Sequence, residues 1–158
     1  MLGRMNTTEH DYALQARQAI EVVCAGNLSR IEEFYHPDFV DHVNDMTFHG
    51  YDGGRESVAF YKTIFKNLRM AAEEQITEGS RVASRWILDG TYHGRPITLR
   101  GITISRFAED GRILEDTGHS DSISLVRQLG VIRTLILGLE ILTRRVKLPK
   151  GALGASQA

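Results

Sequence analysis

The feature that most constrains the fold is a hydrophobic period that changes twice along the chain. Tyr12–Ala25 carries Leu14, Ala16, Ile20 and Val23 at helical spacing and stops at Gly26-Asn27. Ser29 with Glu32 three residues on opens a second helix. That helix is expected to end near His36-Pro37, because the residue before a proline avoids helical geometry. A third helix follows Gly53-Gly54, with Val58, Tyr61, Ile64, Phe65 and Leu68 on its apolar stripe. After Met70 the period shortens, and 74–78, 81–88, 97–108 and 112–121 read as strands. Glu78-Gly79, Asp89-Gly90 with His93-Gly94-Arg95-Pro96, and Asp110-Gly111 supply the turns between them. From Ser122 the period lengthens into a final helix expected to reach about Arg145. Helices followed by a meander specify an α+β domain with the helices gathered on one face of a curved antiparallel sheet. Residues 12–146 read as that single domain, 1–11 as a flexible N-terminus and 147–158 as a disordered tail.

Asp38–Gly54 reads as a long loop rich in His, Asp and Asn, the kind of segment that forms sites. Within 112–121, strand alternation puts Thr117, His119 and Asp121 on one face and Asp116, Gly118 and Ser120 on the other. Ile113 falls on the first face and Leu114 on the second, so the apolar residues do not decide which face is inward. A carboxylate beside an imidazole can raise its pKa and share acid–base work, which makes Asp121 and His119 candidates. An exposed pair at the end of an edge strand is the plainer reading. Trp86 reads as core beneath the helices. Arg85, between Ala83 and Ile87, either holds an oxyanion or reaches solvent past its own stem.

Charge and composition remove several function classes. The chain has 158 residues with 19 Lys and Arg against 20 Asp and Glu, net charge -1. That balance lacks the electrostatic attraction on which nonspecific nucleic-acid binding depends. A single cysteine, Cys24, excludes an internal disulfide and a multi-cysteine zinc site. His36 and His42 are not at the spacing of a helical two-His site, so no metal is expected. No Gly-x-Ser-x-Gly, Walker loop or dinucleotide fingerprint occurs. The first eleven residues lack the apolar core of a secretory signal, and a cytoplasmic protein is expected. Val131–Leu142 is interrupted by Arg133, Thr134, Gly138 and Glu140 and is too short to span a membrane. It is apolar on more than one face, however, which points to a homodimer. Six basic residues and one acid after Ser122 leave +5 there. Cations at a helix C-terminus explain that run, with contact to an anionic membrane surface as the alternative.

In order along the chain stand His36-Pro-Asp-Phe-Val-Asp-His42, Gly53-Gly54-Arg-Glu56 and Glu78-Gly-Ser-Arg-Val-Ala-Ser-Arg-Trp86. Gly90-Thr-Tyr-His93, Arg100-Gly-Ile-Thr-Ile-Ser-Arg106 and Asp110-Gly-Arg-Ile113 follow, then Asp121 with Leu125 and Gln128-Leu-Gly130. Over about Leu14–Val131 this order resembles the SnoaL-like polyketide cyclase family of the nuclear-transport-factor-like superfamily. The resemblance implies a cone-shaped α+β barrel, usually oligomeric, around a largely apolar pocket for a small hydrophobic, polyketide-like molecule. It implies an enzyme of secondary metabolism that performs intramolecular aldol cyclisation or isomerisation without metal or cofactor. Asp121 would be the acid/base, tuned by His119, with His42, Asn44, Arg85, Thr117 and Trp86 around the substrate. The family often has Trp where Thr117 stands, so the pocket floor would be changed and His119 would fill the space. A noncatalytic ligand-binding protein, or a related-fold hydroxylase, epoxide hydrolase or dehydratase, is the alternative, because one fold hosts many activities.

Overall fold

A computed structural model describes residues 11–143 and Val146. The expectations for the first ten residues and for the tail from 147 onward lie outside the described residues. Helix α1 (Tyr12–Gln18) is capped by Asp11, whose carboxylate accepts from Leu14 N at 3.0 Å, and continues as a π-helical stretch, Ala19–Cys24. A 3-10 turn (Leu28–Arg30) leads into the short helix α2 (Ile31–Phe34).

The chain then departs from the expected loop. Residues Tyr35–Val43 form strand β1 and Met46–His49 form β2, joined by a two-residue turn with Asn44 at φ 51°. Asparagine tolerates that left-handed geometry. The inward series of β1 is Tyr35, Phe39, Asp41 and Val43. An aspartate sits in an otherwise apolar row, and Pro37 lies where the register shifts between Tyr35 and Val40. Both features mask the strand's alternation. Helix α3 (Gly50–Ile64) turns Gly54, Ser57, Val58 and Tyr61 inward at helical spacing.

Four long strands complete the sheet: β3 (Lys66–Glu78), β4 (Arg81–Tyr92), β5 (Arg95–Phe107) and β6 (Ile113–Ser120). Their order is β2-β1-β6-β5-β4-β3, antiparallel throughout except that β1 runs parallel to β6. The expected α+β architecture is present. The sheet is curved but does not close, and β2 and β3 are its edges. One core cluster centres on Val23, Ile31, Phe39, Val82 and Ile113, and a second on Trp86, Leu88, Tyr92, Ile97 and Leu129.

Helix α4 (Ser122–Leu142) begins where β6 ends and covers the part of β5 that β6 leaves unpaired. Gln128 substitutes for a strand there: its amide nitrogen donates to Thr98 O at 2.6 Å, and its oxygen accepts from Thr98 N at 2.9 Å. The helix kinks at Gly130 (φ 70°, ψ 170°). Beyond the kink its polarity is inverted. Arg133, Thr134 and Glu140 are half-buried, and Glu140 accepts from Tyr92 Oη at 2.8 Å. Val131, Ile132, Leu135, Ile136, Leu139 and Leu142 face outward, 38% to 80% exposed.

Trp86 is packed flat against Gly101 on the neighbouring strand. A Cβ at Gly101 would lie 2.2 Å from the indole Cζ2 and 2.5 Å from the backbone oxygen of His119. Neither neighbour can retreat, because the indole Nε1 is tied to Thr103 Oγ1 at 2.9 Å and the other atom belongs to the sheet. Gly101→Ala is therefore expected to cost about 2 kcal/mol, the scale of overpacking a core. Urea unfolding checks this; an unchanged midpoint would contradict the packing described.

Candidate active site

Sheet geometry puts two aspartates side by side. The β5–β6 ladder pairs Arg106 with Glu115 but Phe107 with Ile113, so Leu114 is an extra residue in β6. Such a bulge lets Ile113 and Asp116 both turn inward despite their odd separation. From Asp116 onward the inner face carries Asp116, Gly118 and Ser120. In the parallel β1–β6 pair Asp41 is the register partner of Asp116, so both carboxyls point to the same side of the sheet.

They point into a cavity of about 90 Å3 between the two core clusters, against roughly 10–15 Å3 for one water. It has room for a ring-sized group. Its walls are mainly apolar, with Val23, Val58, Met70, Trp86 and Leu88, and the polar atoms come from a few side chains. A hydrogen bond from Ser57 of α3 supports Asp41, and one from Ser105 of β5 supports Asp116. Tyr61 and Ser120 hydrogen-bond across the cavity, and Cys24 Sγ lies 3.7 Å from Tyr35 Oη. Asp116 is 8% exposed, and its Oδ1 has no hydrogen-bond partner among the described residues.

Burial without a counter-charge sets the protonation states. Desolvation lifts Asp41 from 3.8 to about 7, partly opposed by the Ser57 hydrogen bond. Desolvation, then the charge of Asp41, lifts Asp116 to about 8, opposed by Ser105. Two carboxyls this close titrate as a pair, and near neutrality the pair retains a proton. Burial also pushes Tyr61 and Cys24 up to about 12, and Tyr35 well above its usual value, so all three are neutral.

The residues singled out in the sequence fall mostly outside this cavity. Asp121 is exposed and caps α4, accepting from Ser124 N at 2.9 Å. It lacks the desolvation expected of it, because β6 ends before it and its carboxylate turns to the helix. His119 borders the cavity wall but is exposed, and Thr117 lies on the same outer face of β6. Neither forms the pocket floor, since the bulge at Leu114 assigns the inner face to the even positions. His42 also faces outward, with Nδ1 3.2 Å from Thr47 Oγ1 and Nε2 3.9 Å from Glu115. Arg85 pairs with Glu73 at 3.5 Å and Glu74 at 3.4 Å, so it reaches solvent rather than an oxyanion. Asn44 braces the turn to β6 by donating to Ser120 Oγ at 3.2 Å and accepting from Ser120 N at 3.1 Å. Trp86 does line the cavity. Asp41 lies in the His-, Asp- and Asn-rich stretch expected to form a site, but its partnership with Asp116 carries no local sequence signal.

Both carboxyls bind their proton more tightly in the folded chain than at the ordinary value of 3.8. Their contribution to stability is therefore complete below about pH 4 and is lost as pH rises through 7 to 8. Asp116→Asn is expected to match the wild type in urea near pH 4 and to exceed it near pH 9 by on the order of 1–3 kcal/mol. Identical pH profiles would contradict the protonated pair.

Wild-type IdmH from Streptomyces antibioticus, described as a candidate polyketide cyclase, is 25% identical with a TM-score of 0.68, covering 77% of this chain and all of its own. A candidate polyketide cyclase from Bacillus cereus is 24% identical (TM-score 0.64, covering 82% of this chain and 85% of its own). A candidate SnoaL-like cyclase from Jannaschia is 17% identical (TM-score 0.66, covering 80% and 95%). These last two likenesses establish the fold alone. A comparison with curated proteins finds no match. The sequence model of the SnoaL-like polyketide cyclases matches residues 13–129, from the first helix to the start of the α4 kink and through every strand that builds the cavity. On that extent of agreement, the chain belongs to the SnoaL-like polyketide cyclase family.

Proposed function

We propose that the protein is an acid/base enzyme of the cyclase or isomerase type, acting on a hydrophobic carbonyl compound, with Asp41 and Asp116 as its proton-handling pair. The observation that carries this is the unpartnered Oδ1 of buried Asp116 facing the cavity beside Asp41. Asp41, as the carboxylate of the pair, takes the proton from a carbon next to the substrate carbonyl. Asp116, still protonated near neutrality, gives its proton to the carbonyl oxygen as the enol forms. In a cyclisation the enol carbon then bonds to a second carbonyl of the same molecule, and that oxygen recovers the proton from Asp41. The enol O–H proton returns to Asp116 as its carbonyl reforms, so both carboxyls regain their starting state. In an isomerisation Asp41 returns its proton to a different carbon. Neither outcome changes the mass of the compound.

Family membership supports the reaction class, and the rival assignment places the acid/base at Asp121. Incubating a metabolite extract with the protein and following it by mass spectrometry separates them. Asp116→Asn or Asp41→Asn is expected to lower turnover by about 100-fold or more, the scale of losing a general acid or base. Asp121→Asn keeps a capping side chain and is expected to stay within a few-fold of wild type. The reverse pattern would restore Asp121. A compound retained unaltered by every form would make this a ligand-binding protein instead, and loss of water or gain of oxygen would assign a dehydratase or hydroxylase.

The same reading includes a homodimer formed through the second half of α4. Six large apolar side chains face outward there while the polar ones face the protein, an arrangement that a monomer leaves in water. Among the described residues no helix is long and apolar enough to cross a membrane. Sedimentation is expected to show a dimer at micromolar concentration and a folded monomer for the double variant Leu135→Glu, Leu139→Glu. A monomeric wild type would contradict the pairing.

A further inference from the structure

We propose that the compound held in this cavity carries a protonated amine, seated against Asp116 and walled by Tyr35, Tyr61 and Trp86. The inference rests on the reading of the cavity as the substrate site and adds the charge class of the ligand. Two carboxyls face the cavity, yet no Lys or Arg stands among the described residues that line it. Its one basic side chain, His119, is exposed on the outer face. Nearby guanidinium groups are committed elsewhere: Arg85 to Glu73 and Glu74, Arg106 to Glu115. Without a cation these carboxyls stay neutral by keeping protons; to ionise inside the cavity they need one, and since no Lys or Arg lines it among the described residues, the ligand is the source.

The remaining groups around Asp116 agree with this. Facing it are Asp41 and Tyr35 from β1, Ser105 from β5 and Cys24 from the helical side, while Glu115, its neighbour in β6, points to the outer face and adds negative charge. None of them is a cation, and the thiol and phenols are held neutral by burial. The unpartnered Oδ1 lacks a donor, which an ammonium N–H supplies as a charge-assisted hydrogen bond. The faces of the tyrosine and indole rings attract a cation within reach of them. A ligand carboxylate in the same place meets two acids. An amine seated on Asp116 keeps that carboxyl ionised and takes over, through its own N–H, the donor role that the Asp116 proton has toward a neutral carbonyl compound, and Asp41 remains the base.

Trp86 is the only tryptophan and lines the cavity, so its fluorescence reports occupancy directly. Three probes of nearly equal shape match the ring-sized space: cyclohexylmethylamine, cyclohexylmethanol and cyclohexanecarboxylate. Near pH 8 the protonated amine is expected to bind at least about tenfold tighter than the alcohol, the margin of one charge-assisted hydrogen bond. The carboxylate is expected to bind weakest. The amine's advantage should fade towards pH 5, where the carboxyls are protonated. Asp116→Asn should erase it while the alcohol still binds, which also shows that the variant folds; Asp41→Asn serves if it does not. Equal or tighter binding of the alcohol near pH 8 would overturn the proposal. So would no binding of the amine at millimolar concentration, or a preference that survives Asp116→Asn in a folded protein. These outcomes are independent of whether the two variants lose turnover, which tests the acid/base reading separately.

Discussion

Everything at the candidate site depends on the one parallel pairing in the sheet, β1 against β6. Asp41 and Asp116 lie far apart in sequence and meet only because the whole meander from β3 to β6 returns beside the first strand. Parallel neighbours require a long connection, and here that connection is itself most of the fold. The pairing fixes the two carboxyls on one face, and the helices α1 to α3 close over them. Removing water raises both pKa values, because neither has a cation to offset the loss. Ser57 and Ser105 give partial compensation, each from a different element, so the site is tied to α3 and β5 as well. The folded chain keeps a protonated acid next to a group able to act as base, which is the requirement for moving a proton between two atoms of one substrate.

The alternation of the later strands and the spacing of the helices were enough to establish α+β, and Trp86 was readable as an inward residue from its apolar neighbours. Two features were not readable, for specific physical reasons. The inward row of β1 contains Asp41 and is disrupted around Pro37, so a strand with one polar inward residue resembles a polar loop. The extra residue at Leu114 reverses the parity of β6. Counting by twos from buried Ile113 leads to Thr117, His119 and Asp121, and only the bulge transfers the inner face to Asp116. A one-residue slip of this kind exchanges every side chain between core and solvent. Asp121 then acts as a helix cap, a role its Ser124 contact satisfies fully. Residues that serve a site against local rules are where pattern reading is expected to fail.

Gly101 and Gly130 act at different levels. Gly101 lets the indole of Trp86 lie against the sheet, which forms one wall of the cavity. Gly130 breaks α4 after Gln128 has sealed the free edge of β5, and so redirects the second half of the helix. That half is anchored by Glu140 to Tyr92 and to His93, 2.9 Å away, with its apolar side outward. The cavity and this apolar face are thereby separated, since no described residue of α4 lines the cavity.

The central claim is that Asp41 and Asp116 share a proton near neutral pH. Carbon-13 NMR of the aspartate side-chain carboxyls, followed across pH and assigned with Asp41→Asn and Asp116→Asn, measures it directly. Two coupled resonances are expected to titrate in the range of about 7 to 8, with the survivor in each variant shifting toward lower pH as its neighbour's charge is removed. Two resonances that titrate independently near the ordinary 3.8 would show a solvated or compensated pair, and the acid/base site described here would not exist.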